Sequence, residues 1–223
     1  MTNTPNLKVR VKTARGRTLS STRWLQRHLN DPFVHEAKKK GYRSRAAFKI
    51  VEIDDKHKLF KIGQKVLDLG AAPGGWSQIA AERTKAIEGK GKVIAVDLLE
   101  IDPLPGVETL MLDFYDDDAE SIIKSYLGDS LIDLVLCDMA ASATGHKYTD
   151  HLKIIGLLEA ALDFTEKVLK PDGAFLGKVF RGGTENTILT RMKKEFKSVK
   201  HIKPKSSRSD STELYVLGNG FKG

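Results

Sequence analysis

Short apolar runs alternate with longer amphipathic stretches along most of the chain, and this alternation constrains its fold more than any other feature. The apolar runs of strand length lie at 66–69, 93–96, 109–111, 132–137 and 174–179. The stretches of helical length that separate most of them lie at 76–87, 117–127, 152–169 and 184–196. Strands that alternate with helices form βαβ units, whose parallel sheet is covered by helices. We therefore predict an α/β fold with helices on both faces of a mostly parallel sheet.

The two ends of this pattern depart from the alternation. The segments 198–203 and 212–218 have strand character and follow each other without a helix, which predicts an antiparallel hairpin at one end of the sheet. Near the other terminus, ordered structure is expected to begin between Trp24 and Leu29. A helix is predicted from Pro32 to Lys40, ending at Gly41, and Ser44 is expected to cap a second one.

The chain length of 223 residues suits one α/β domain with a short extension. We expect residues 1–20 to form a flexible basic tail and 21–223 to form the domain, with a basic helical segment at 23–60. No apolar run has the length of a membrane helix, and the first residues lack a secretory signal. The single cysteine, Cys137, excludes an internal disulfide, so a cytoplasmic location is expected.

Positive charge is concentrated in the first quarter of the chain. The formal net charge is +8, and residues 1–49 hold thirteen Lys and Arg but only two acidic residues. Such a local excess is typical of a surface that binds a polyanion such as nucleic acid. A solvated tail that aids solubility is the alternative, and residues 1–27 also fit a transit peptide. Within the basic segment the residues expected to grip RNA phosphates are Arg23, Lys38, Lys39, Lys40, Arg43 and Arg45.

A glycine-rich loop, DLGAAPGGW at 68–76, follows the first strand and opens a helix. Ligands of open α/β sheets bind outside such strand ends. Because Pro73 removes a backbone N–H that a pyrophosphate would use, the loop favours a nucleoside ligand over a dinucleotide. Asp97 and Asp113 follow the next two strands, where they could bind a ribose and an adenine. A strand-to-helix turn without a ligand, with both acids as caps, remains the alternative.

Three further ionisable residues are placed for chemistry. Asp138 ends the fourth strand, Lys178 lies within the fifth, and Glu213 begins the last one. A lysine in a buried strand needs a partner or a lowered pKa. Neighbouring strands would bring the three to one edge of the sheet, either as a reactive cluster or as a salt bridge in the core.

These residues belong to motifs that cover residues 21–218. The motifs are STRWLQ at 21–26, KKG at 39–41, RSRAAFK at 43–49, KLFK at 58–61, DLGAAPGGWSQ at 68–78, DLL at 97–99, DF at 113–114, CDMA at 137–140, KVF at 178–180 and SSR at 206–208 before Glu213. Together they resemble the FtsJ/RrmJ family of ribose 2′-O-methyltransferases, and most of all its bacterial members that act on large-subunit ribosomal RNA. The resemblance implies a Rossmann-like fold with a seven-stranded, mostly parallel sheet and an antiparallel last strand.

The resemblance also implies the cofactor and the site. It implies S-adenosylmethionine as methyl donor, held by Gly74, Trp76, Asp97, Asp113 and Asp138. It implies a catalytic tetrad of Lys49, Asp138, Lys178 and Glu213 without a metal, in which Lys178 acts as the base or as a charged steering group. The implied substrate is a uridine in the A-loop of 23S ribosomal RNA, in the 50S subunit, and the implied state is a monomer.

The chain departs from the family pattern on the substrate side. Ala141 stands where the family often has proline, residues 142–147 differ, and Asp210 lies in a stretch expected to be more basic. Transfer RNA or an mRNA cap is therefore an alternative target. A non-catalytic RNA-binding protein and a nicotinamide-dependent dehydrogenase are alternatives from other classes. The intact tetrad argues against the first, and the glycine loop argues against the second.

Overall fold

A computed structural model of the chain describes residues 9–11, 16–113, 115–128, 130–139, 147–180, 185–208 and 211–223. Its helices are α1 (Leu19–Leu29), α2 (Pro32–Lys40), α3 (Ala46–His57), α4 (Gly75–Thr84), α5 (Ala119–Leu127), α6 (Lys147–Val168) and α7 (Glu185–Glu195). Its strands are β1 (Lys65–Leu69), β2 (Lys92–Asp97), β3 (Val107–Met111), β4 (Ile132–Cys137), β5 (Leu169–Phe180), β6 (Phe196–Ile202) and β7 (Glu213–Phe221). A short 3₁₀ turn, Ala86–Glu88, follows α4.

The seven strands form one sheet in the order β3-β2-β1-β4-β5-β7-β6. Strands β1 to β5 pair in parallel, and β7 is antiparallel to both of its neighbours, β5 and β6. The predicted α/β class, the parallel sheet and the antiparallel last strand are therefore confirmed. From β1 the following strands β2 and β3 are added on one side, and β4 and β5 are added on the other side. In open parallel sheets, ligands bind at the carboxyl ends of the two strands where this change of side occurs, here β1 and β4.

Helices cover both faces of the sheet because its central strands are apolar on both sides. Side chains alternate between the faces, so Val66 packs with α3 and α4 while Leu67 packs with α5, α6 and α7. Each face of the sheet therefore packs against its own apolar cluster. Because the central strands are buried on both faces, their sequences are continuous apolar runs. No helix in the described ranges is both long and apolar enough to cross a bilayer.

The basic N-terminal segment is helical, as predicted, but its boundaries differ from the expected ones. Helix α1 begins at Leu19, capped by Thr18, five residues before Trp24. Helix α2 runs from Pro32 to Lys40 as predicted, with Asp31 as its N-cap and Gly41 in the left-handed conformation at its end. Parts of the predicted tail, 1–8 and 12–15, lie outside the described residues.

The start of α3 differs from the prediction in the residue that caps it. Arg45 occupies the N-cap position and makes no side-chain capping bond. Ser44, the predicted cap, lies one residue earlier, and its hydroxyl accepts the N–H of Ala46 at 3.3 Å. Because α3 begins at Ala46, Lys49 lies in the first turn of the helix.

Candidate active site

Three of the four predicted catalytic residues meet at the carboxyl edge of the sheet because β4, β5 and β7 are neighbours. In the register of β5 and β7, Phe180 pairs with Glu213 and Lys178 pairs with Tyr215. The ammonium of Lys178 donates to the backbone carbonyl of Asp138 at 2.7 Å and contacts its Oδ1 at 3.0 Å. The antiparallel direction of β7 is what brings its first residue to the edge where the parallel strands end.

The fourth residue comes from a helix outside the βαβ units. Helix α3 directs Lys49 toward β7, where its Nζ donates to Glu213 Oε1 at 2.5 Å. The hydroxyl of Ser207 donates to the same carboxylate oxygen at 3.5 Å. The structure therefore brings together all four side chains that the sequence predicts, as two lysine–carboxylate pairs.

Tyr215 joins these two pairs, and it was missed by the sequence reasoning. Its hydroxyl lies 3.2 Å from Asp138 Oδ1, 3.2 Å from Glu213 Oε1 and 3.1 Å from the Nζ of Lys49. A hydroxyl can accept from the lysine and donate to one of the carboxylates. A signal existed in the sequence, because residues two apart in a strand share a face and Tyr215 is two residues from Glu213.

The cluster is largely buried, and its charges are paired. The Lys178 side chain is only 7% exposed. Burial, reinforced by the carboxylates of Asp138 and Glu213, raises the pKa of Tyr215 well above its usual value, so its hydroxyl stays neutral. Two lysines balance two carboxylates, which satisfies the rule that buried charges are paired.

The glycine loop lies beside this cluster and is held in place by Asp97. Oδ2 of Asp97 accepts the N–H of Ala72 at 2.9 Å, and Oδ1 accepts the N–H of Leu99 at 2.9 Å. At Gly70 the backbone has a φ of +75°, and a Cβ would come within 2.6 Å of the Met139 side chain. Only glycine fits there, so the loop after β1 and the loop after β4 are in direct contact.

A cavity of about 660 Å³ opens between these loops at the point where the sheet order reverses. Its lining combines apolar side chains with a few carboxylates: Leu69, Gly70, Ala72, Val96, Asp97, Leu98, Leu99, Leu112, Asp113, Tyr115, Asp138, Met139, Lys153, Gly156 and Leu157. Its size is that of a pocket for a small organic ligand. In the part of the chain that the structure describes, no group of three His, Cys, Asp or Glu side chains could hold a metal ion.

Two of the five predicted cofactor residues do not line this cavity. Gly74 caps α4 in the left-handed conformation, and a Cβ there would meet the side chain of Leu104 at 2.6 Å. Trp76 is buried on the opposite face, where its Nε1 donates to the carbonyl of Ala46 at 2.9 Å and its ring contacts that of Tyr215. Asp97, Asp113 and Asp138 do line it. Direct contact of Gly74 and Trp76 with a cofactor stays a prediction.

The six residues predicted to bind RNA fall into two groups. Arg23, Lys38, Lys39 and Lys40 are exposed. The guanidinium of Arg43 donates to the carbonyl of Pro103 at 2.7 Å and lies 3.5 Å from Asp102. Arg45 pairs with the buried Asp31 at 2.8 Å and donates to the carbonyl of Ser206. Those last two guanidinium groups are therefore partly engaged within the protein.

Comparison with known proteins adds a family to this geometry. The profile of the family described as FtsJ-like methyltransferase matches residues 42–221. "Ribosomal RNA large subunit methyltransferase E" of Xanthobacter autotrophicus is 57% identical over 97% of this chain and 85% of its own length. The protein of the same name from Parvibaculum lavamentivorans is 58% identical over 97% of this chain and 88% of its own.

A solved structure agrees with these relatives. The crystal structure of a protein described as a ribosomal RNA methyltransferase from Plasmodium falciparum superimposes with a TM-score of 0.74 at 34% identity. The match covers 82% of this chain and 100% of the other. The likeness therefore extends over most of the chain.

Proposed function

The chain belongs to the FtsJ-like methyltransferase family, and on that premise we propose that it methylates a ribose 2′-hydroxyl of a uridine in 23S ribosomal RNA. The observation that carries the proposal is the position of Asp138. This residue lines the 660 Å³ cavity and also pairs with the buried Lys178. A methyl donor in the cavity would therefore have its reactive end beside a lysine that can act on a hydroxyl group.

S-adenosylmethionine fits the cavity in size and in the chemistry of its lining. Val96, Leu98 and Leu112 offer apolar contacts to an adenine ring, and Asp113 lies at the end of β3 where it can accept from an amino group. Asp97 uses one lone pair of each oxygen on the glycine loop, so each oxygen can accept a second bond from a ribose hydroxyl. When bound, the donor supplies a sulfonium methyl group that needs no further activation.

The residues of the chain then have to position the acceptor and accept its proton. Methyl transfer would form the carbon–oxygen bond and break the carbon–sulfur bond of the donor, which would leave as a neutral thioether, and the 2′-hydroxyl would lose its proton to a nearby group or to water. Lys178 makes two described contacts, both to Asp138. An ammonium has three N–H groups, and a neutral amine has two and a lone pair. In either form one position on Nζ is left for the ribose oxygen.

These two forms give Lys178 two possible roles, and a substitution separates them. A neutral amine would take the proton as a base, whereas an ammonium would stabilise the developing negative charge. Arginine keeps the positive charge but cannot be deprotonated. If Lys178 is the base, Lys178→Arg and Lys178→Met lose turnover equally, by about 10²- to 10⁴-fold. If it steers by charge, the arginine variant retains part of the activity.

The substrate is proposed from the family and from charge. The relatives at 57% and 58% identity are named for the large ribosomal subunit. The exposed Arg23, Lys38, Lys39 and Lys40 supply a cationic surface on the helices that precede Lys49. We propose the A-loop uridine in the 50S subunit as target, approached by a cytoplasmic monomer. A transfer RNA target is the alternative.

The test is to map methylated riboses in ribosomal RNA from cells with and without this gene. A 2′-O-methyl group blocks alkaline cleavage of the adjacent phosphodiester, so each site appears as a gap in a cleavage ladder. The expected result is one gap in 23S RNA that disappears with the gene. It should return with the unaltered gene and stay absent with Lys178→Met.

Two outcomes would contradict the proposal. An unchanged 23S ladder together with a changed transfer RNA ladder would move the target to transfer RNA. No change in any RNA, with purified protein that binds RNA but transfers no labelled methyl group, would support a non-catalytic RNA-binding protein. Labelled-methyl transfer to purified 50S particles and to free 23S RNA separates the assembled particle from free RNA as substrate.

A further inference from the structure

A second pocket borders the lysine–carboxylate cluster at Lys49 and Glu213, whereas the 660 Å³ cavity borders it at Asp138. It has a volume of about 500 Å³ and lies between α1, α3 and the loop before β7. Its lining residues are Trp24, Arg27, His28, Arg45, Lys49, Arg208, Ser211, Thr212 and Glu213. Two of the catalytic candidates, Lys49 and Glu213, form part of its wall. Among the described residues it shares no lining with the 660 Å³ cavity, so it is a separate pocket beside the same cluster.

The wall of this pocket carries an excess of positive charge. Asp31 Oδ2 contacts Arg45 at 2.8 Å and Arg208 at 2.9 Å. One carboxylate can balance only one of the two guanidinium groups, while Lys49 is already paired with Glu213. The Nε of Arg45 is buried without a hydrogen-bond partner among the described residues, and the Arg208 side chain is 32% exposed. The pocket is therefore suited to an anion.

An aromatic surface lies at the same pocket. The indole ring of Trp24 is stacked on the His28 ring, with centroids 5.0 Å apart and planes 14° from parallel. Trp24 is nevertheless 53% exposed, whereas the other tryptophan of the chain, Trp76, is 3% exposed. Unstacked RNA bases bind by stacking on aromatic rings that are exposed to solvent, and the half-exposed Trp24 ring, stacked on His28, is such a ring.

We propose that this pocket binds one unstacked nucleotide of the substrate RNA, with its base stacked on Trp24 and its phosphate at Arg208 and Arg45. The inference rests on the proposed function, because it takes RNA as the substrate. An aromatic face and a cationic wall together match a nucleotide better than an acidic peptide or a free phosphate, since neither of those has a ring to stack. The pocket thereby holds the strand so that a ribose reaches Lys49 and Glu213.

The first test uses the fluorescence of Trp24. Oligouridylate should quench the emission of the protein, and inorganic phosphate at the same ionic strength should not. Trp24→Phe should lose the quenching but keep its affinity for labelled oligouridylate, measured by anisotropy, because phenylalanine can still stack. Trp24→Ala should bind about 5- to 150-fold more weakly, the range expected for one base–aromatic stack. Leu19→Ala, at a 78% exposed position of the same helix, is the matched control and should change neither signal.

The second test addresses the phosphate. Arg208→Gln should reduce the slope of log affinity against log salt concentration by about one, the amount expected for one phosphate contact. Arg83→Gln serves as the control, because Arg83 pairs with Asp54 and Asp55 and lies outside the pocket. Cofactor affinity and the urea midpoint are measured for each variant, so that a loss of folding is not read as a loss of binding.

The outcomes separate this inference from the proposed function. Methyl transfer to RNA with an unchanged KM in Trp24→Ala and an unchanged salt slope in Arg208→Gln would overturn the inference and leave the function intact. RNA binding through Trp24 without methyl transfer would overturn the function and leave the nucleotide pocket intact. Quenching by polyglutamate equal to that by oligouridylate would also overturn the inference, because the pocket would then select only charge. Abasic substitution at the methylated position and at its neighbours identifies which nucleotide occupies the pocket.

Discussion

Replacing Asp68 with asparagine should change how the stability of the protein depends on pH. Asp68 is fully buried near the end of β1, and it is the first residue of the glycine-loop motif. Its Oδ2 accepts the hydroxyl of Ser77 at 2.5 Å, and its Oδ1 has no partner among the described residues. Burial, with the carboxylates of Asp138 and Asp97 as smaller causes, raises the pKa of this carboxyl to about 7 against the hydrogen bond from Ser77.

The size of the change in the free energy of unfolding follows from the difference between this pKa and the ordinary value of 3.8. Between these two values the folded protein holds a proton that the unfolded chain has released, so the free energy of unfolding falls as the pH rises. The slope is about 1.4 kcal/mol per pH unit, which gives a loss of about 4 kcal/mol over the whole interval. Stability from this group is complete below about pH 4 and is lost by about pH 7.

Urea denaturation at several pH values between about 5 and 8 measures this loss. Asparagine has the same shape as aspartic acid but does not titrate. Asp68→Asn should therefore gain about 3 kcal/mol relative to the unaltered protein between pH 5 and pH 8. Asp117→Asn, at an exposed position, is the control and should give a flat difference. A flat difference for Asp68→Asn as well, within the error of the method, would refute the argument that this carboxyl is protonated in the folded state.

Three further substitutions or treatments test the site. Tyr215→Phe should cost about 1 to 3 kcal/mol in urea denaturation, because it removes a buried hydroxyl that lies within hydrogen-bond distance of Asp138, Glu213 and Lys49, and an unchanged midpoint would show that the hydroxyl is not the link between the two pairs. Gly70→Ala should abolish cofactor binding in a calorimetric titration, because its Cβ would lie 2.6 Å from the Met139 side chain at a φ of +75°, and retained affinity would contradict the close contact of the two loops. Cys137 should resist a thiol reagent at about pH 8 until urea is added, because burial raises the pKa of its thiol to about 12, and fast labelling of the folded protein would contradict this.

Much of the fold could be predicted because the chain separates strand and helix patterns clearly. The central strands are buried on both faces, so each is a continuous apolar run that ends where a loop must turn. The boundaries were less predictable. Helix α1 begins at Leu19 because the Thr18 side chain accepts the N–H of Ser21. Thr18 lies in a polar, basic stretch, and a single capping residue there does not stand out from its neighbours.

The cationic residues show a second limit of sequence reasoning. Charge density predicted that Arg43 and Arg45 bind RNA, which stays a prediction, and the structure adds that each also has a partner far away in the chain. The guanidinium of Arg43 donates to the carboxylate of Asp102. The guanidinium of Arg45 pairs with Asp31 and donates to the carbonyl of Ser206. The sequence shows that an arginine carries a charge. It does not show which carboxylate or carbonyl accepts hydrogen bonds from that arginine in the folded protein. Arg208, which shares Asp31 with Arg45, was not singled out for RNA because it lies outside the basic segment.

Three of the four catalytic candidates could be placed together from the sequence because strand ends, unlike surface charges, have positions fixed by topology. The fourth, Lys49 on α3, was predicted only through the family resemblance. Once β4, β5 and β7 are neighbours, Asp138, Lys178 and Glu213 have to share an edge, and the register leaves little freedom for their side chains. Tyr215 obeys the same rule, since it faces Lys178 across the β5–β7 pair. It escaped notice because an aromatic residue in a strand is first explained by packing against the core. Its ring does pack on Trp76, while its hydroxyl contacts Asp138, so one side chain belongs both to an apolar core cluster and to the lysine–carboxylate cluster.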